Sequence, residues 1–188
     1  ADVIKEEKLD VIHVHYAIPH AVCAVLARDM CGENIGIVTT LHGTDISVLG
    51  EDSTLQQSIK YGIDRSDIVT TVSDALKVET YERIETTKPI ETIYNFVDEE
   101  VFHPMDGSKL KQQFGIREDE RVLIHISNFR KIKNIPDIID AFMKVREAMP
   151  AKLLLVGDGP EKHRVMDKLR DMPYKSDVLF LGKQENIA

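Results

Sequence analysis

Short runs of aliphatic and β-branched residues recur along this chain, and a helix-length stretch separates each from the next. The runs fall at residues 10–15 (DVIHVH), 36–41 (GIVTTL), 67–72, 90–94, 121–126 (RVLIHI), 152–156 and 177–181. Between them the sequence predicts helices over 19–30, with proline near the first turn, 53–63, 74–84 after Ser73 as N-cap, 136–149 and 161–171. Strand–helix–strand units with apolar strands predict an α/β chain whose sheets are parallel and covered on both faces.

The alternation breaks once. Residues 95–108 (NFVDEEVFHPMDGS) carry proline, glycine and acids without a clear period, which marks a linker. Two Rossmann-like domains are expected, 1–97 and 98–188. Residues 1–8 read as the tail of a charged helix with no strand before it, and only six residues follow the final Phe-Leu-Gly at 180–182. Both domains are therefore expected to be incomplete, the chain being a fragment. No solenoid-type repeat or low-complexity segment occurs.

Of the 188 residues 43% are hydrophobic and 30% charged, enough apolar material for a sizeable core. The net charge of −8 argues against general nucleic-acid binding, which needs a basic footprint. It leaves room for an anionic small ligand, because a local pair of cations can serve one phosphate group. Cys23 and Cys31 form no CxxC pattern and are expected as buried free thiols in one apolar helix. No apolar run approaches the ~20 residues of a membrane span, and no signal-peptide pattern opens the chain. A soluble, cytoplasmic protein is expected.

Ligands of open α/β sheets bind beyond the carboxyl ends of the strands. At those ends the first half places His13, His15 and Tyr16, then His42-Gly43-Thr44-Asp45, Ser73 and Asn95. The second half places Ser127-Asn128-Phe129-Arg130-Lys131-Ile132-Lys133, then Gly157-Asp158-Gly159-Pro160, and Gly182. Two facing sheets would bring these loops to one cleft. Glycine lets the HGTD loop turn sharply or approach a ligand, and His42 can donate, accept or carry a proton. The same four residues also suit a capping loop over a buried histidine. Arg130, Lys131 and Lys133 precede a helix N-terminus, a good anion site or a solvated basic turn.

Other motifs are weaker. GDGP resembles part of a dinucleotide fingerprint, but Lys162 stands where a third glycine is needed, and Asp177 begins a strand instead of ending one. His13 and His15 share one strand face and could join His42 and Asp45 in a metal-dependent hydrolase. The plainer expectation is that His13 is buried in the sheet and only His15 reaches the strand ends. HExxH, GxSxG, P-loop and DxD sequences are absent, so a bound diphosphate would be neutralised by side-chain cations and helix ends.

Taken together, DVIHVHYAIPHAV, TTLHGTDISVLG, VTTVSDALKVE, IYNFVDEEVFHP, ISNFRKIKNI, LLLVGDGPEKHRV and the final FLG resemble the retaining glycosyltransferases of family 4 across essentially the whole chain. These have the B-type architecture, two Rossmann-like domains with parallel sheets facing a cleft. The resemblance implies that residues 1–97 are the later part of an acceptor-side domain and 98–188 the first part of a nucleotide-sugar domain. HGTD joined to SNFRxxK is similar to the branch that transfers N-acetylglucosamine to L-malate at the start of bacillithiol synthesis. The implied substrates are UDP-GlcNAc and L-malate or a similar small acceptor, with no cofactor, no metal, no nucleic acid and no membrane span; a homo-oligomer stays open.

The resemblance also implies roles. His42 matches the histidine against the donor sugar near the reacting carbon, and Lys133 the lysine on the donor diphosphate. Many members have Gly-Arg where this sequence has Ser127-Asn128, so Arg130 is expected to replace the missing charge and Asn128 to face the acceptor. Ser127, Gly157, Gly159 and Gly182 fall at positions around the donor, while Tyr16 and Thr44 are expected on the acceptor side. The family's glycine-rich loop would precede residue 1 and its glutamate pair would follow residue 188, so these residues alone are expected to be inactive or nearly so. A non-catalytic nucleotide-sugar-binding module is the remaining alternative.

Overall fold

The structure, a computed structural model, describes residues 1–187. It divides into two compact units, Ala1–Val97 and a second that begins at Asp98.

The first unit runs α1 (Asp2–Glu6), β1 (Val11–His15), α2 (Val22–Cys31), β2 (Gly36–Leu41), α3 (Ser53–Arg65), β3 (Ile68–Thr71), α4 (Asp74–Arg83) and β4 (Ile90–Thr92). Single helical turns, Ala17–Ala21 and Thr44–Val48, follow β1 and β2. Side chains start two of the helices: Asp52 accepts from the Thr54 N–H at α3, and Ser73 accepts from Leu76 N–H at 3.2 Å at α4. Ile18 is extended (φ −127°, ψ 141°), as a residue before proline tends to be; helical backbone resumes after it and passes through Ala21 into α2, so Pro19 stands in the first turn as the sequence suggests.

The four strands are parallel and ordered β1-β2-β3-β4. Each step moves the same way across the sheet, so right-handed crossovers put α2, α3 and α4 on one face. There Ala24, Val25, Ile59, Ile63 and Leu76 pack on Ile37, Leu41, Val69 and Ile90. The opposite face carries the alternate residues, among them His13, His15 and Thr40. Val11 and Ile68 on that face are 54% and 51% exposed, so among the described residues that face is only partly covered, less than the apolar strands suggest. The two cysteines are free, but only Cys31 is buried; Cys23 is exposed because its neighbours Ala24 and Val25 take the sheet-facing positions of α2.

The second unit contains α5 (Ser108–Gln113), β5 (Arg121–Ile126), α6 (Ile135–Ala148), β6 (Ala151–Val156), α7 (Lys162–Leu169) and β7 (Val178–Gly182). Its strands are parallel in the order β5-β6-β7, and the same argument places α6 and α7 on one face. Ile135, Ile139, Phe142, Val165 and Leu169 pack there on Leu153, Leu155 and Val178. On the other face Ile124 is 59% exposed. Val122, Ile124 and Ile126 line an apolar groove of about 300 Å³ with Leu110 and Phe114. Helix α5 follows the segment that reads as linker, where the sequence predicts no element; none of its residues is buried, so it has no apolar stripe to betray it. At the amino ends of the strands Asp177 accepts from Arg146 Nε at 2.7 Å and Lys152 Nζ at 2.6 Å. No helix among the described residues is long and apolar enough to cross a membrane.

Candidate functional site

The carboxyl ends of β1 and β2 lie side by side, with His15 in register with Thr40. Beyond them the chain must turn twice, and one carboxylate holds both turns. Asp45 is fully buried; its oxygens accept from the backbone N–H of Ala17 at 2.9 Å, Gly43 at 3.1 Å and His42 at 3.3 Å. Tyr16 takes a left-handed φ of 76° while its N–H donates to the Thr40 carbonyl at 2.9 Å. That kink brings the Tyr16 ring to 5.2 Å from the His42 ring, centroid to centroid.

Histidines crowd the same strand ends. His15 Nδ1 and His42 Nε2 are 2.7 Å apart, and His20 Nδ1 donates to the His15 carbonyl at 2.6 Å. His13 is exposed, not sheet-buried as expected, because it lies on the open face; its Nε2 meets Thr40 Oγ1 at 2.8 Å, and Thr40 in turn bonds Thr70. Partial burial pushes the His42 imidazole below its ordinary pKa, and His15 adds to this, against an opposing pull from Asp45. The shift favours the neutral imidazole, which is suited to hydrogen bonding. Thr44 is exposed at the turn after Gly43.

The hydrolase arrangement does not form. The Asp45 carboxylate is buried and occupied by three N–H groups, while His15 and His42 bond each other. No group of three or more His, Cys, Asp or Glu among the described residues is arranged to hold a metal.

In the second unit the loop after β5 is built from backbone. Ser127 N–H donates to the Val156 carbonyl at 3.1 Å, and Glu161 N–H to the Phe129 carbonyl at 3.0 Å. Phe129 is fully buried at φ 39°, and its N–H reaches Ser127 Oγ at 3.3 Å. His125 Nε2 supports the same hydroxyl at 2.8 Å; burial, and then the charge of Lys133, lower its pKa. A Cβ on Gly157 would lie 1.9 Å from the Ser127 carbonyl oxygen, and one on Gly159 2.0 Å from that of Asn128. Both glycines thus serve the close approach of two loops. Gly157 N–H also donates to the Gly182 carbonyl at 2.7 Å.

This leaves the loop's side chains available. Asn128, Arg130 and Lys133 are exposed, and neither cation forms an ion pair among the described residues. They precede α6, which starts at Ile135 and has Pro136 in its first turn. Two cations before a helix N-terminus suit a phosphate group. Asp177, by contrast, is engaged by Arg146 and Lys152 at the far ends of the strands.

The structure therefore gathers Tyr16 and His42 in the first unit, with Thr44 on the adjoining turn. It gathers Ser127, Asn128, Gly157, Gly159 and Gly182 in the second, with Arg130 and Lys133 on the same loop. Sequence reasoning missed the clamp made by Asp45, whose signal was an aspartate two residues after a glycine turn. It also missed His125, spaced two residues from Ser127 on one strand face.

The family described as Glycosyltransferase Family 4 matches residues 1–101, and Glycosyl transferases group 1 matches residues 106–188. The chain is 53% identical over all its 188 residues to N-acetyl-alpha-D-glucosaminyl L-malate synthase of Bacillus anthracis, covering 49% of that protein. It is 27% identical over 186 residues to an uncharacterized glycosyltransferase of Methanocaldococcus jannaschii, covering 94% of this chain and 47% of the other. The chain thus spans about half the length of the curated relatives it matches. Among solved structures, Anabaena HepE in complex with UDP and glucose aligns with TM-score 0.78 at 22% identity, over 98% of this chain and 51% of that one. Sucrose-phosphate synthase from Thermosynechococcus elongatus aligns with TM-score 0.81 at 17% identity, over 98% and 48%. At these identities the structural likeness speaks for the fold alone.

Proposed function

The chain belongs to glycosyltransferase family 4, and on that premise we propose that it serves the retaining transfer of N-acetylglucosamine from UDP-GlcNAc to L-malate or a similar small acceptor, the first step of bacillithiol synthesis. The observation that carries this reading is the 53% identity, along the whole chain, to a protein of that name. In the reaction the bond from the anomeric carbon to the diphosphate breaks, and one from the acceptor hydroxyl forms on the same face. The hydroxyl proton passes to water, and the diphosphate departs as UDP, carrying the electron pair of the broken bond as added negative charge.

Charge stabilisation is the main chemical demand, and the second unit supports it. Arg130 and Lys133 are exposed cations at the start of α6, and Ser127, Gly157, Gly159 and Gly182 shape the surrounding backbone. In this reading they hold the donor without a metal, and turnover persists in a strong chelator. His42, neutral and backed by His15, orients the sugar and stabilises the transition state by hydrogen bonding. Tyr16, Thr44 and Asn128 take the acceptor side. No covalent nucleophile is assigned. Charged substrates of this kind fit a cytoplasmic enzyme.

The test is a product assay with UDP-GlcNAc and a panel of small hydroxy acids, on protein of the length its relatives have. Donor binding without turnover would favour a non-catalytic module instead. Lys133→Ala should raise the barrier by roughly 2.7–4 kcal/mol, as loss of one preorganised charge-stabilising donor does. Wild-type turnover in that variant would remove Lys133 from the mechanism.

A further inference from the structure

We propose that His15 is a positioning residue for His42, fixing its ring plane and its tautomer through a hydrogen bond that reaches from the end of β1 to the loop after β2. The bond joins His15 Nδ1 to His42 Nε2 at 2.7 Å, with the rings tilted 45° to one another. Only one proton fits between two nitrogens at that distance. His42 then either donates from Nε2 and presents a bare Nδ1, or accepts at Nε2 and presents Nδ1–H. Changing from one alternative to the other requires the His15 ring to change tautomer in step, whereas a solvated imidazole exchanges between its two forms independently.

His15 is anchored through its backbone. Its backbone is laddered into the sheet opposite Thr40, its carbonyl accepts from His20 Nδ1, and the His13 ring lies 4.7 Å away. The support for His42 is asymmetric. Its backbone N–H is tied to Asp45, but its ring has a polar contact only with His15 among the described residues, and the Tyr16 ring fills another side at 5.2 Å. Without His15 the ring could rotate about its side-chain bonds while the loop stayed in place. The ionisable groups facing His42 are His13, His15 and Tyr16 from β1 and its end, and Asp45 from its own loop. Burial and His15 both disfavour the charged ring, which keeps His42 in the neutral form that has a tautomer to select.

The inference deepens the transferase reading and rests on it only where activity is measured. Imidazole nitrogen NMR of the chain as it stands tests it directly. In the wild type His42 should show one protonated and one bare nitrogen. In His15→Phe the two signals should move toward averaged positions and His42 should titrate at higher pH. His15→Asn offers a polar atom close to the position of Nδ1 but cannot titrate, so it should restore the locked tautomer. A His42 that averages in the wild type overturns the proposal without recourse to any variant. So does an unchanged His42 spectrum in a folded His15→Phe.

At full relative length His15→Phe should lower kcat by about 10- to 100-fold with little change in KM for UDP-GlcNAc, the scale expected of a misplaced catalytic group. His15→Asn should recover part of that loss. A locked His42 in a protein with no transferase activity would support the positioning role and sink the proposed reaction; transferase activity indifferent to both variants would sink the positioning role alone.

Discussion

In the first unit the loops after β1 and β2 are tied together by a side chain, the buried carboxylate of Asp45 bonded to three backbone N–H groups. In the second, the loop after β5 is pinned by main chain against main chain, with the Ser127 and Asn128 carbonyls lying where Gly157 and Gly159 have no side chain. Both units present polar groups beyond the carboxyl ends of parallel strands. They differ in what can be changed without collapse. A side-chain clamp fails when its chemistry is altered, whereas a backbone contact fails when bulk is added.

The largest expected effect tests the second construction. Gly157→Ala places a methyl 1.9 Å from a carbonyl oxygen at φ +119°, where neither loop can yield cheaply. It should cost about 4 kcal/mol or more, the range reserved for severe lesions, and chemical denaturation should show the loss in the second unit. Asp45→Ala tests the first construction. Leaving three N–H groups without their charged acceptor should cost the first unit about 3 kcal/mol. Equal sensitivity of both units to either change would erase the contrast.

Gly43→Ala sharpens the comparison. Its φ of +109° resembles that of Gly157, but nothing lies within 4 Å of the added carbon. Only backbone strain remains, about 1–3 kcal/mol. A loss as large as that from Gly157→Ala would show that the close approach is not what matters. The smallest effect concerns pH. Burial alone would raise the Asp177 carboxyl, but bonds from Lys152 and Arg146 outweigh it and hold its pKa below the ordinary value. A carboxyl lowered in the folded state contributes stability above its unfolded pKa and loses it as pH falls through the folded one. The second unit's melting temperature should therefore drop as pH is taken from about 5 to about 3, and Asp177→Asn should flatten that fall.

Much of the strand order was legible because the strands announce themselves: GIVTTL and RVLIHI form β2 and β5 with the bounds their composition suggests. Proline at residue 19 marked the start of helical backbone, because its restriction falls on Ile18, which is extended. Cys23 misled because an apolar helix does not say which of its residues face the sheet. At the site, residue types were readable and contacts were not. Asp45 reads as a local cap or a metal ligand, yet its strongest partner, Ala17, lies 28 residues away. Gly157 and Gly159 read as ligand-facing, but the constraint on them comes from a loop about thirty residues earlier. Such pairings depend on which strands become neighbours, and a local pattern holds no record of that.

The interlocked turns have a consequence for how this protein could be re-engineered. Because carbonyls and bare Cα atoms hold the loop after β5 in shape, the side chain at residue 128 takes no part in the lock. It can be exchanged as a tool bit is exchanged in a fixed chuck. Residue 128 is therefore the place to begin a library for altered substrate choice, with residues 157 and 159 left untouched.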